Sequence, residues 1–134
     1  MFALSDRSRR NLLGVHPDLV PIVEHAIHIT RVDFTVIEGV RSIERQQKLV
    51  RSGASRTMNS RHLTGHAVDL GAWVDGQIDW SWPLYYQIAD AMKCAAKKLD
   101  TPLEWGGDWK RFKDGPHFQL PWASYPLEIT REAG

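Results

Sequence analysis

"HAVDLGAWVDGQIDW", residues 66–80, alternates small or apolar side chains with others and then breaks at Asp75-Gly76. An Asp-Gly break between two such runs predicts a β-hairpin, because the turn that suits strand twist needs positive φ at both positions. On this reading residues 66–71 are the heart of a strand. Ala67 and Asp69 point to one face, Val68 and Leu70 to the core. A hairpin makes neighbouring strands antiparallel, which argues against a doubly wound parallel sheet.

Working outward, "PLYYQIADAMKCAAKKLD" (83–100) is the clearest helix, with Pro83 in its first turn and Cys94 read as a small buried hydrophobe. "SIERQQKLVRSG" (42–53) reads as a helix capped by Ser42 and ended by Gly53. "HPDLVPIVEHAIHIT" (16–30) reads as a helix from about Pro17. Its apolar stripe is Leu19, Ile22, Val23, Ala26 and Ile27, with His25 and His28 off it. Ser5-Asp6 opens a short helix that stops by Gly14. "DFTVIEG" (33–39) alternates as a strand, with Phe34, Val36 and, by the same period, Glu38 on one face. "PLEWGG" and "HFQLPW" read as short strands, "ASRTMNSR" (54–61) as a polar surface loop, and the tail after Trp122 carries no signal. The expected fold is α+β, a small antiparallel sheet packed with helices, in one domain spanning 1–134.

Composition narrows the class. In 134 residues, 43% are hydrophobic and 25% charged, ordinary for a globular chain. Lys plus Arg number 17 against 16 acids, for a net charge of +1, which removes the electrostatic case for a dedicated nucleic-acid binder. One cysteine excludes a disulfide framework and a thiolate zinc knuckle. No run of apolar residues approaches a membrane span, and the N-terminus shows no signal-peptide core. Residence in the cytoplasm is therefore expected. Six tryptophans are many, and core packing is the default reading for most of them.

The polar residues of two segments carry the chemistry. In "SRHLTGHAVDL" (60–70), Gly65 permits a tight turn that can bring His62 over the face presenting Asp69. In "KDGPHFQLPW" (113–122), His117 and Gln119 share a strand face, and the Gly115-Pro116 bend carries Asp114 back toward His117. Two His and one Asp leave a zinc ion one open position for water, the coordination of a catalytic site. Asp114 is then the unliganded carboxylate able to take a proton from that water. His66 is turned away from Asp69 by strand alternation and stays outside this set.

The two segments together resemble the SxHxxGxAxD and DxxH elements of the zinc D-Ala-D-Ala carboxypeptidase and L-Ala-D-Glu endopeptidase family. Within it, the chain looks like the small single-domain phage endolysins. The likeness runs over roughly residues 17–121. It implies the zinc-peptidase fold of that family, with one zinc per chain held on the sheet by His62, Asp69 and His117, and Asp114 as catalytic base. It also implies that Arg41 holds a substrate oxygen, and that Ser60 orients the ligand loop or contacts substrate. The implied partner is the bacterial peptidoglycan stem peptide, with no nucleic acid, no membrane insertion and a monomeric chain. The implied setting is the host cytoplasm until a holin opens the way to the cell wall.

Other readings stand beside this one. An arginine after a strand often serves only an ion pair, a loop serine only a turn, and Asp108 only the shape of its loop. Trp109 is the best tryptophan to line a glycan-peptide groove. "GGDWKRFKDGPH" (106–117) joins the last motifs in a few basic residues, which argues against the acidic calcium insertion of some phage relatives. A D-Ala-D-Ala carboxypeptidase or dipeptidase would use the same metal chemistry, and a non-catalytic cell-wall-peptide module would need no base beside its metal.

Overall fold

Strand β2 (Ala67–Val74) is the member of the sheet that most others contact, and the computed structural model places it among the described residues 1–126. It pairs antiparallel with β1 (Phe34–Glu38) on one side. On the other side it pairs with β3 (Gln77–Asp79) through the hairpin and with β5 (His117–Gln119), which in turn pairs with β4 (Glu104–Trp105). Every pairing is antiparallel, in the order β1-β2-β5-β4 with β3 beside β2. The β2–β3 turn is the expected Asp75-Gly76, with φ of 53° and 79°. Fold class and hairpin agree with the sequence reading.

Four α-helices lie among the described residues: α1 (Asp6–Asn11), α2 (Val20–Ile29), α3 (Ile43–Arg51) and α4 (Trp82–Lys98). Ser5 and Ser42 cap α1 and α3, their hydroxyls accepting from the Ser8 and Arg45 backbone N–H. Leu19 and the α2 stripe Ile22, Val23, Ala26 and Ile27 are buried in one core with Tyr85, Ile88, Met92 and Ala95 of α4 and Val36, Val68, Leu70 and Phe118 of the sheet. That core fills one face of the sheet. The other face is polar and lies open.

The structure departs from expectation at four places. Helix α2 starts at Val20, because residues 17–19 form a turn in which His16 Nδ1 accepts from the Asp18 N–H at 3.0 Å. Cys94 is exposed, since the buried α4 stripe of residues 85, 88, 92 and 95 leaves position 94 on the outer side. Only Trp105 among the tryptophans is buried, while Trp73, Trp80, Trp82 and Trp122 are 38–60% exposed. Glu38 does not share the face of Phe34 and Val36. An irregularity between Val36 and Glu38 sets Val36 against Leu70 but Glu38 against Asp69, so the extra residue turns Glu38 to the open face.

Candidate active site

Strand register assembles the polar face. Asp69 of β2 lies directly across from His117 of β5, and Gln119 lies across from Glu104 of β4. With Glu38 on the far side of Asp69, neighbouring strands present a continuous polar row. The row floors an open groove of about 650 Å³, walled by Arg45 and Leu49 of α3, the 53–60 loop and the 109–114 segment.

His62 reaches this floor from a single 3₁₀ turn, Arg61–Thr64, ended by Gly65 at φ 77°. Ser60 caps the turn, its hydroxyl accepting from the His62 N–H at 3.2 Å. The His62 ring is 2% exposed, and its Nδ1–H donates to the Gly39 carbonyl at 2.8 Å. A carbonyl can only accept, so the Nε2 lone pair faces the groove. There Nε2 has no hydrogen bond among the described residues, although it lies 3.2 Å from Asp69 Oδ1. His117 is oriented in the complementary way. Its Nε2–H donates to Gln119 Oε1 at 2.7 Å, and its Nδ1 faces Asp69 Oδ1 at 3.3 Å.

Three donor atoms thus converge on one point, with His62, Asp69 and His117 all within 4.8 Å of one another. This is a group able to hold a metal ion. The donor set fits zinc: bonds of ~2.0–2.1 Å in tetrahedral geometry put neighbouring ligand atoms about 3.3 Å apart. The two contacts to Asp69 Oδ1 have that length, while the three donors as a set spread to 4.8 Å. Partners behind each ring, Gly39 and Gln119, hold the tautomers such an ion requires.

The electrostatics match. Burial would raise the Asp69 carboxyl, but the neighbouring His117 and then His62 outweigh it and hold the group far below the usual carboxylate range. Burial works against a proton on His117, yet the Asp69 carboxylate and Gln119 raise its pKa. Asp114 is raised instead, first by burial and then by the charge of Asp69, against the opposing pull of His117, His62 and Arg41. Its carboxylate accepts no hydrogen bond among the described residues and lines the groove beside the histidines.

Asp114 is set by its surroundings. Its N–H donates to the Gly106 carbonyl at 3.0 Å, and its own carbonyl accepts from the His117 N–H at 3.2 Å. The buried Trp105 indole N–H donates to the Gly115 carbonyl at 2.7 Å. A Cβ on Gly106 would come within 2.4 Å of the Asp114 carbonyl oxygen, so glycine is needed at that contact.

The remaining candidates are placed as follows. Arg41 is engaged bidentately by Glu38, with Nε–Oε2 3.0 Å and Nη2–Oε1 2.6 Å, and its Nη1 donates to Gln46 Oε1 at 2.8 Å. Its Nη2 lies 3.7 Å from Asp69 Oδ2, which leaves part of the guanidinium facing the floor. Trp109 packs on His117 at 5.2 Å between ring centroids and donates from Nε1 to Glu104 Oε2. His66 points elsewhere, against His16 and Tyr125, and Asp108 pairs with Lys93 at 2.7 Å on the surface. Sequence reasoning gave no role to Glu38, Gly39, Gln46 or Gln119. Only the "EG" before Arg41 and the His117–Gln119 spacing pointed to any of them.

Residues 1–120 match the family described as phage L-alanyl-D-glutamate peptidase. The chain belongs to that family. Among its relatives, the L-alanyl-D-glutamate peptidase of Escherichia phage T5 is 28% identical, over 84% of this chain and 85% of the relative. The peptidoglycan L-alanyl-D-glutamate endopeptidase CwlK of Bacillus subtilis is 30% identical, over 81% of this chain and 77% of its own. The crystal structure of Serratia marcescens L-Ala D-Glu endopeptidase ChiX superposes with a TM-score of 0.89 at 50% identity, covering 94% of this peptidase and 95% of that chain. The vancomycin-resistance D,D-dipeptidase VanXYg superposes at 0.52 with 18% identity, over 79% of this chain and 50% of that one, and shares the fold alone.

Proposed function

We propose that this peptidase hydrolyses the L-Ala–D-Glu bond of the peptidoglycan stem peptide, with one zinc ion held by His62, Asp69 and His117. The observation that carries the reading is the convergence of two tautomer-fixed imidazoles on one Asp69 oxygen at tetrahedral spacing. When bound, the zinc supplies Lewis-acid polarisation of the scissile carbonyl and makes water acidic enough to attack at neutral pH.

The chain's own residues do the rest. Asp114, with its pKa raised and no side-chain hydrogen-bond partner among the described residues, takes the proton of the attacking water and passes it to the leaving amine. Arg41, held rigid by Glu38 and Gln46, presents its remaining N–H groups to the carbonyl oxygen as negative charge develops there. Ser60 holds the His62 turn, and Trp109 offers an aromatic wall beside His117 for the substrate.

The family's phage members support a role as an endolysin, kept in the host cytoplasm until a holin-type lesion admits it to the wall and working there as a monomer. No helix among the described residues is long and apolar enough to cross a membrane. Digestion of purified muropeptides tests the specificity. New amino termini on D-Glu are expected, whereas release of free D-Ala would make the enzyme a carboxypeptidase.

A further inference from the structure

The basic segment 109–113 forms one bank of the groove, and the polar loop after Gly53 forms the other. Between them the Arg56 guanidinium lies over the Phe112 ring, 3.8 Å from its centroid. Phe112 makes this contact from a left-handed backbone of φ 53°, with its ring 62% exposed. Bulky residues rarely adopt that conformation, and burial does not account for it here. What the conformation achieves is to join the two banks.

Five arginines line the groove, and three are engaged. Arg41 is held by Glu38 and Gln46, Arg45 lies 3.9 Å from Glu38, and Arg61 stacks on Trp122. Arg111 is exposed and makes no hydrogen bond or ion pair among the described residues. Among the described residues, Arg56 has only the Phe112 ring. Of the acids lining the groove, Glu38 is occupied with Arg41, Asp69 with the histidines and Glu104 with Trp109, and Asp114, the fourth, makes no ion pair with these two cations among the described residues.

We propose that Arg56, held over the Phe112 ring across the groove, and Arg111, exposed on the same bank as Phe112, bind the free carboxylate of the glutamate residue in the peptide substrate. The inference rests on the L-Ala–D-Glu reading above. A glutamate joined into a chain through its amine and one carboxyl keeps the other carboxyl charged at neutral pH. Guanidinium groups match a carboxylate in charge and in planar geometry. A groove of this volume holds only a short stretch of peptide, so its banks stand within reach of residues flanking the scissile bond.

Two synthetic peptides provide the test, one with that carboxylate free and one with it capped as the primary amide. The wild type should favour the acid about tenfold in kcat/KM, the scale of one charge-assisted contact, with the difference residing in KM. In the Arg56→Gln/Arg111→Gln double variant the ratio should fall to about one. Lysine at both positions should keep part of it, and Phe112→Ala alone should lower it. A double variant that retains the wild-type ratio, or a wild type indifferent to capping, overturns the inference. A wild type that cuts neither peptide overturns the L-Ala–D-Glu reading instead.

Discussion

The His62 ring donates its Nδ1 proton to the Gly39 carbonyl at 2.8 Å, so the backbone leaving strand β1 decides which nitrogen of the ring faces Asp69. Gly39 can sit there only without a side chain. A Cβ would meet the Asn11 carbonyl oxygen at 2.1 Å and Val15 Cγ2 at 2.8 Å, one of them rigid backbone. Gly39→Ala should therefore cost about 1–3 kcal/mol of stability, the usual penalty of overpacking. It should also weaken metal binding, because the displaced carbonyl no longer orients His62. Urea midpoints and a zinc competition titration measure the two effects. Wild-type values for both would refute the link.

His117 offers Nδ1 to the site, while its Nε2 is tied to Gln119. His117→Ala should lose most bound zinc and all hydrolysis of peptidoglycan, measured by elemental analysis beside the release of amino groups. Chelation of the wild type should inactivate it, and added zinc should restore it. Full zinc content in the Ala variant would remove His117 from the ligand set.

Gln119→Leu removes the acceptor behind His117 but keeps a buried side chain of similar size. The ring is then free to rotate or change tautomer. Metal affinity should fall roughly 10–100-fold, as is usual when a partner behind a ligand is lost. The variant should still bind zinc at saturating concentration and regain activity there. That recovery separates an orienting residue from a ligand, and its absence would count against this role.

These two histidines and Asp69 were legible in the sequence because each face follows from strand period or from the Gly65 turn. The fold class was legible for a similar reason, since Asp75-Gly76 is a local signal that needs no tertiary context. Glu38 was not legible. One extra residue near Ile37 inverts the strand phase, and alternation alone cannot reveal such a slip. Gln46 lies on a helix whose other residues are half-buried or exposed, yet it is fully buried, because it binds Arg41, Ser55 and Thr57 at once. Those partners are up to 11 residues away, and no periodic pattern encodes them. The tryptophans failed as core markers because burial depends on which side of α4 and of the sheet each one emerges.

Asp114 offers the sharpest separation of chemistry from architecture. Its backbone is fixed by Gly106 and His117, while its carboxylate has no hydrogen-bond partner among the described residues. Asp114→Asn keeps the backbone contacts and the side-chain shape, so stability and zinc content should match the wild type. The amide cannot accept the proton of the attacking water, so turnover should fall by at least ~10², the usual scale for loss of a general base. If Asp114 served only to shape the Gly115-Pro116 bend, Asn would replace it with little loss, since both residues suit turns. Turnover of purified peptidoglycan and zinc content, measured on the same preparation, decide between the two. Near-wild-type turnover would overturn the mechanism, and zinc lost together with activity would place Asp114 among the ligands.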